Sequence, residues 1–237
     1  MRLKRFALRL GAVVAALAVA EPALAQAGTI GPDVTRTALI LTLLAVVPAI
    51  LVSMTSFIRI VIVLAMVRHA FGMPETPPNA VLVSLSLFLT AFTMSPVLNE
   101  LNRDTIQPLL AGKIGVERAM ETGSVPLRKF MLTQTRDADI ESIYAISNTP
   151  LPERPEQVEI LKLAPAFILN ELRVAFTIGF VILLPFLLID LVVSSILLSL
   201  GMMMVPPTTI SLPIKLLMFV LIDGWKLVLE GVLGSFG

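Results

Sequence analysis

The chain has 237 residues, 56% of them apolar and 15% charged, with a mean hydropathy of +0.91. A soluble domain runs near half apolar and a quarter charged, so this balance belongs to a membrane-associated protein. Cysteine is absent and histidine occurs once, at His69, which excludes disulfides, thiol catalysis and a His-based zinc centre within one chain.

Residues 1–25 read as a secretory leader. A basic start (Arg2, Lys4, Arg5, Arg9) precedes an apolar stretch from Leu10 to Ala20, and Ala23-Leu24-Ala25 supplies small residues at the expected cut. The apolar stretch is too short to span a bilayer comfortably, and cleavage after Ala25 is expected. Without this leader the chain keeps 14 basic and 16 acidic residues, a balance that gives no nucleic-acid surface.

Four hydrophobic blocks follow. The first, 38–67, would be about 45 Å long as one helix, against a hydrocarbon core of about 30 Å. It contains Pro48 and Arg59, so it either breaks near Pro48 or is partly covered by protein. Residues 68–79 are expected to form a Pro-rich turn with Asn79 capping the next helix. The second block, 80–98, is long enough to span and ends at Ser95-Pro96. Residues 26–98 thus make an N-terminal hydrophobic hairpin.

Residues 99–162 change character, with 8 basic and 10 acidic residues among glycine and proline punctuation. They predict a small helical insert, with helices over 115–123 and 127–147. The second of these carries Phe130, Ile140, Ile143 and Tyr144. So small a piece holds no large core of its own, so it is expected to pack on the rest of the chain or on a neighbour, with Phe130 and Tyr144 as its contact residues.

Residues 163–237 form the C-terminal hairpin, from a third block (163–200) and a fourth (208–233). Ionisable residues in apolar helices are costly and mark pairing, pores or relays. Arg59, Glu171, Arg173, Asp190, Lys215, Asp223 and Lys226 are such residues, and they are expected to pair between helices and between copies. Asp223 and Lys226 share a helix face and can neutralise each other, whereas Glu171 and Arg173 do not face each other and need partners from elsewhere. Gly179 and Pro185 suit either a transport pathway or close helix packing.

The tip of this hairpin is Ser199–Pro207. Gly201 can take the positive φ that ends a helix, and Pro206 and Pro207 cannot continue one. Between them stand Met202, Met203 and Met204. Methionines on such a turn either fill irregular gaps beneath it or, with several copies together, form a soft apolar constriction. No catalytic constellation, phosphate-binding loop, metal set or cofactor motif is visible.

Several stretches together resemble the FliP family of type III export-gate subunits. They are Met54-Thr55-Ser56-Phe57-Ile58-Arg59, Pro77-Pro78-Asn79, Phe88-Leu89-Thr90 and Met94-Ser95-Pro96. Further matches are Pro126–Leu132, Gln134-Thr135-Arg136, Pro165–Leu172, Pro185–Val193 and Asp223-Gly224-Trp225. Asn170 stands where the family usually has serine, Thr177 replaces a longer polar residue, and Lys129 falls at a variable position.

The resemblance implies an all-α subunit that assembles as a ring or short helical oligomer of about five copies, with FliR and FliQ and other membrane proteins of the apparatus. It implies a bacterial inner-membrane location at the flagellar basal body, multi-pass, raised toward the periplasmic side, with 99–162 periplasmic. Met202, Met203 and Met204 correspond to the family's gasket around a pore for unfolded protein substrates, and Glu171 to its glutamate of the Ser-Glu-Leu motif. Virulence-system relatives usually lack a leader, which favours the flagellar branch. The alternatives are a virulence-type gate subunit, a secondary transporter with a broken-helix site near Pro185 and Asp190, and a scaffold that conducts nothing.

Overall fold

The computed structural model describes residues 52–73 and 75–236. The expected leader and the break near Pro48 lie outside them. The described residues are helical, with no strand among them, so the all-α expectation holds. We label the helices α1 (Phe57–Ala70), α2 (Asn79–Thr93), α3 (Ser95–Leu101), α4 (Gln107–Leu110), α5 (Val116–Gln134), α6 (Asp137–Ile146), α7 (Ile160–Ser199), α8 (Pro207–Leu221) and α9 (Gly224–Leu233).

α1 is the central element. Ile60, Val63, Leu64 and Val67 are all but inaccessible, because the helix packs along α7 and also meets α2 and α9. A helix apolar on every side is stable only when enclosed. α7 runs for 40 residues without a break, about 60 Å, straight through Pro165 and Pro185. Each proline forfeits one backbone hydrogen bond, and the long apolar ladder on either side holds the helix together. Of the described helices, α7 alone is long and apolar enough to cross a membrane, and α2 with α3–α4 qualifies only as a span bent by 66°.

Where α7 crosses α1, Gly179 has no side chain to hold the helices apart. A Cβ there would fall 2.3 Å from Met66 Sδ, so close packing accounts for this glycine.

Four boundaries differ from the sequence expectation. α1 extends through Ala70, and α2 begins at Asn79 with Pro78 in the cap position. The Asn79 side chain does not cap α2; its Oδ1 accepts from Arg68 Nη1 and so ties the loop back to α1. The second block is not one span, because the helix turns at Met94. In the insert, α5 continues through Gly123 and Pro126 and stops at Thr135, and α6 starts at Asp137, so two helices form as expected but the break between them falls at Thr135-Arg136 and not between Gly123 and Leu127. Gly123 sits inside α5 because a Cβ there would press within 3.2 Å of Leu101 and Thr105.

α2 is apolar on its outside. It buries Leu82, Ser86 and Thr90 toward the protein and exposes Val81, Phe88 and Phe92. Ser86 and Thr90 Oγ atoms donate to carbonyls one turn back, each at 2.7 Å, and Thr93 shares a 2.6 Å hydrogen bond with Ser56. Small hydroxyl residues inside with large apolar ones outside is the arrangement of helices that pack in an apolar medium.

The insert packs on the first half of α7. Met131, Ile140, Tyr144 and Val158 form one core with Leu163, Ala166 and Phe167. Phe130 meets the Phe167 ring edge-on at 5.9 Å, and Tyr144 is buried with its hydroxyl accepting from the Glu159 amide. Both predicted contact residues are therefore used within the chain.

Replacing Gly179 with leucine overpacks the α1–α7 crossing, at a cost of about 1–3 kcal/mol. The thermal midpoint of the detergent-solubilised protein is expected to fall, and Met66→Ala in the same chain to restore part of the loss. An unchanged midpoint in Gly179→Leu contradicts the crossing described.

Candidate functional site

Three places gather most of the residues singled out by the sequence: a charged hub around Arg59, an ion pair between the hairpin arms, and the methionine tip.

Arg59 lies on α1 with 1% of its surface exposed, and Glu171 on α7 is fully buried. Their side chains form a two-pronged pair, Nε donating to Oε2 at 2.8 Å and Nη2 to Oε1. The fork geometry matches a carboxylate and leaves further donors free. Those donors are used: Nη1 donates to the Ser235 carbonyl at 2.7 Å and to its Oγ at 2.9 Å, and Nη2 to Gln134 Oε1 at 3.1 Å. The Phe236 ring stacks on the guanidinium, 3.9 Å from centroid to Cζ. Gln134 in turn donates to the Phe236 carbonyl, and Asn170 Nδ2 donates to the Gln134 carbonyl. One cation thus gathers α1, α7, the end of α5 and the short helical turn Gly234–Phe236.

Arg173 finds its partner on the insert, donating to Asp139 Oδ2 at 2.7 Å, with Arg136 beside it at 3.4 Å. Lys215 Nζ on α8 donates to Asp190 Oδ2 on α7 at 2.6 Å and to the Ala70 carbonyl at 3.1 Å. Five of the seven charges singled out are therefore paired across helices inside one chain, and between-copy pairing is not needed for them.

Asp223 and Lys226 differ from expectation. Both are exposed in the single chain, and Lys226 lies 3.9 Å from Glu230 and not beside Asp223. Asp223 occupies the left-handed region, φ 52°, at the corner between α8 and α9. Gly224 follows because a Cβ there would fall 2.1 Å from the Phe219 ring. The corner breaks the face that the spacing of a continuous helix would give.

The tip joins α7 to α8. Gly201 has φ 71° and Pro207 opens α8. Met202, Met203 and Met204 are 50%, 81% and 96% exposed, so within one chain they fill no gap beneath the turn. Below them both arms carry bare apolar residues, among them Leu188, Leu191, Leu217 and Val220. Among the described residues no group of three or more acidic or histidine side chains is placed to hold a metal ion.

Sequence reasoning missed Gln134, Asp139, Ser235 and Phe236 as partners. Asp139 and Gln134 sit in a stretch dense with polar residues, where no spacing singles them out, and Ser235 and Phe236 lie beyond the last apolar block.

Removing Glu171 leaves a buried, unpaired guanidinium, which typically costs about 3–5 kcal/mol. Glu171→Ala is expected to lower stability by that order, and Glu171→Leu combined with Arg59→Met by clearly less, as read by denaturation in detergent. Equal losses contradict a buried ion pair at this position.

Comparison with known proteins bears on the whole of this region. The profile of the FliP family matches residues 40–232. The chain is 51% identical over 201 residues to the flagellar biosynthetic protein FliP of Pectobacterium carotovorum, covering 85% of this chain and 78% of that one. It is 45% identical over 198 residues to the protein of the same name from Bacillus subtilis, covering 84% and 90%. A Buchnera aphidicola relative is 49% identical over 201 residues, 85% of this chain but only 56% of its own length.

Proposed function

The chain belongs to the FliP family, and from that premise we propose that it is a core pore subunit of the flagellar type III protein export gate. In this reading several copies, about five by family resemblance, surround a shared axis together with FliR and FliQ. They conduct unfolded export substrates across the bacterial inner membrane, and the described helices sit as a multi-pass assembly with the insert on the periplasmic side.

The observation that carries the proposal is the state of the tip. Met203 and Met204 stand almost bare, and Met202 half-exposed, on the turn of a long apolar hairpin tied to α1. An exposed apolar patch of this kind marks a surface that other protein or a membrane covers. Thioether chains are unbranched and polarizable, so a ring of them moves aside for a polypeptide of any sequence and closes again against ions. The bare outer faces of α2, α7 and α8 are the surfaces that neighbouring copies and partner subunits would cover. The transporter alternative draws no support from α7, which is unbroken through Pro185, whereas broken-helix sites need an interrupted helix there.

Replacing Met202, Met203 and Met204 together with alanine is expected to raise the resting ion conductance of cells carrying the assembled complex severalfold, with complex yield unchanged. Normal conductance in that variant contradicts the gasket. Normal assembly with lost export would count against a purely structural scaffold.

A further inference from the structure

Where the two arms of the hairpin meet the end of α1, the side chains form two stacked layers. Phe186 and Asp190 are one turn apart on α7, Lys215 and Phe219 one turn apart on α8, and Ala70 and Phe71 close α1. In the first layer Phe71 packs edge-on against Phe186 and Phe219, with ring centroids 5.4 and 4.9 Å apart. In the second, nearer the tip, Lys215 bridges Asp190 and the Ala70 carbonyl. The Lys215 side chain is only 6% exposed, so its charge depends on those two acceptors. The Ala70 carbonyl belongs to the last turn of α1, where the helix dipole favours a cation.

Beyond this level the hairpin is thinly held. On the tip side of the joint the buried residues are Val193, Leu197 and Ser211, while the methionines are exposed. The tip's height and splay are therefore set where three helices are fastened together, about three turns of helix below it.

We infer that Lys215 and Asp190 are positioning residues for the methionine tip: through the Ala70 carbonyl they fix both hairpin arms to α1, so that each copy presents Met202–Met204 at one common level. This rests on the gate reading above. A lysine buried between the two arms and α1 acts by holding the arms. Without the ammonium the aromatic layer still joins the helices, so the chain folds, but the arms are free to shift by the slack of a lost ion pair. A soft constriction seals only when its members share a level, and the consequence is a leak. Among the described residues Asp190 holds Lys215 through Oδ2 alone, while its buried Oδ1 has no partner there. An asparagine at this position keeps one acceptor and should disturb the joint less than loss of the lysine.

The test compares cells carrying the full export complex with wild-type protein, Lys215→Met, Asp190→Asn, or the triple methionine-to-alanine variant. Resting ion conductance is normalised to the amount of assembled complex. Lys215→Met is expected to raise the leak severalfold, approaching the triple variant, and Asp190→Asn to raise it by a smaller factor, both with complex yield near wild type. If the triple variant leaks while Lys215→Met and Asp190→Asn stay tight, the positioning role is overturned and the gate reading stands. If the triple variant itself does not leak, the gate reading falls first. If neither charge variant yields assembled complex, the pair is a folding determinant and the inference is likewise overturned; if only one assembles, its conductance decides.

Discussion

The fold depends on a cation placed where nothing but protein surrounds it. Arg59 cannot give up its proton to escape burial, so every donor of its guanidinium must be answered. Glu171 answers two and neutralises the charge, while Gln134 and Ser235 take the rest. These partners come from α7, the end of the insert's α5 and the turn after α9. Satisfying one residue of α1 therefore brings distant parts of the sequence to one point. An exposed ion pair of this kind would contribute little. A buried one is weak evidence for stability as such, yet it is severe in what it forbids, because any arrangement that separates the partners strands a charge.

The rest follows from that fixed point. With α1 enclosed and α7 held against it, the second half of α7 projects beyond the hub, and α8 returns along it as far as the Lys215–Asp190 joint. The apolar residues facing outward on these arms and on α2 are too many and too contiguous for a chain that works alone in water. The molecule is thus well determined at its charged base and open at its sides and tip. That division is what a subunit needs when its inner architecture must survive while its outer faces meet other chains.

Much of this was legible in the residues. The apolar blocks, the insert, the Gly201 turn and the cost of each charge in an apolar helix all follow from composition, spacing and backbone preference. So did the need of Glu171 and Arg173 for separate partners, since residues two apart point to different sides of a helix. Partner identity was not legible. Arg59 and Glu171 are far apart in the chain, and only the crossing of α1 with α7 at Gly179 sets their register. The helix breaks were misjudged for a related reason. Gly123 and Pro126 look like interruptions until α3 and the turn after it, containing Leu101 and Thr105, pack against that face of α5. The corner at Asp223 looks like continuous helix until Phe219 claims the space beside Gly224. In each case a contact from elsewhere in the chain outweighed the local preference.

The account turns on whether the bare hairpin faces are covered by sister copies around a common axis. The native mass of the detergent-extracted complex, isolated from the membrane with its partner subunits and resolved by native mass spectrometry, tests this most directly. Several copies of this chain in one particle is the predicted result. A particle containing a single copy would contradict it.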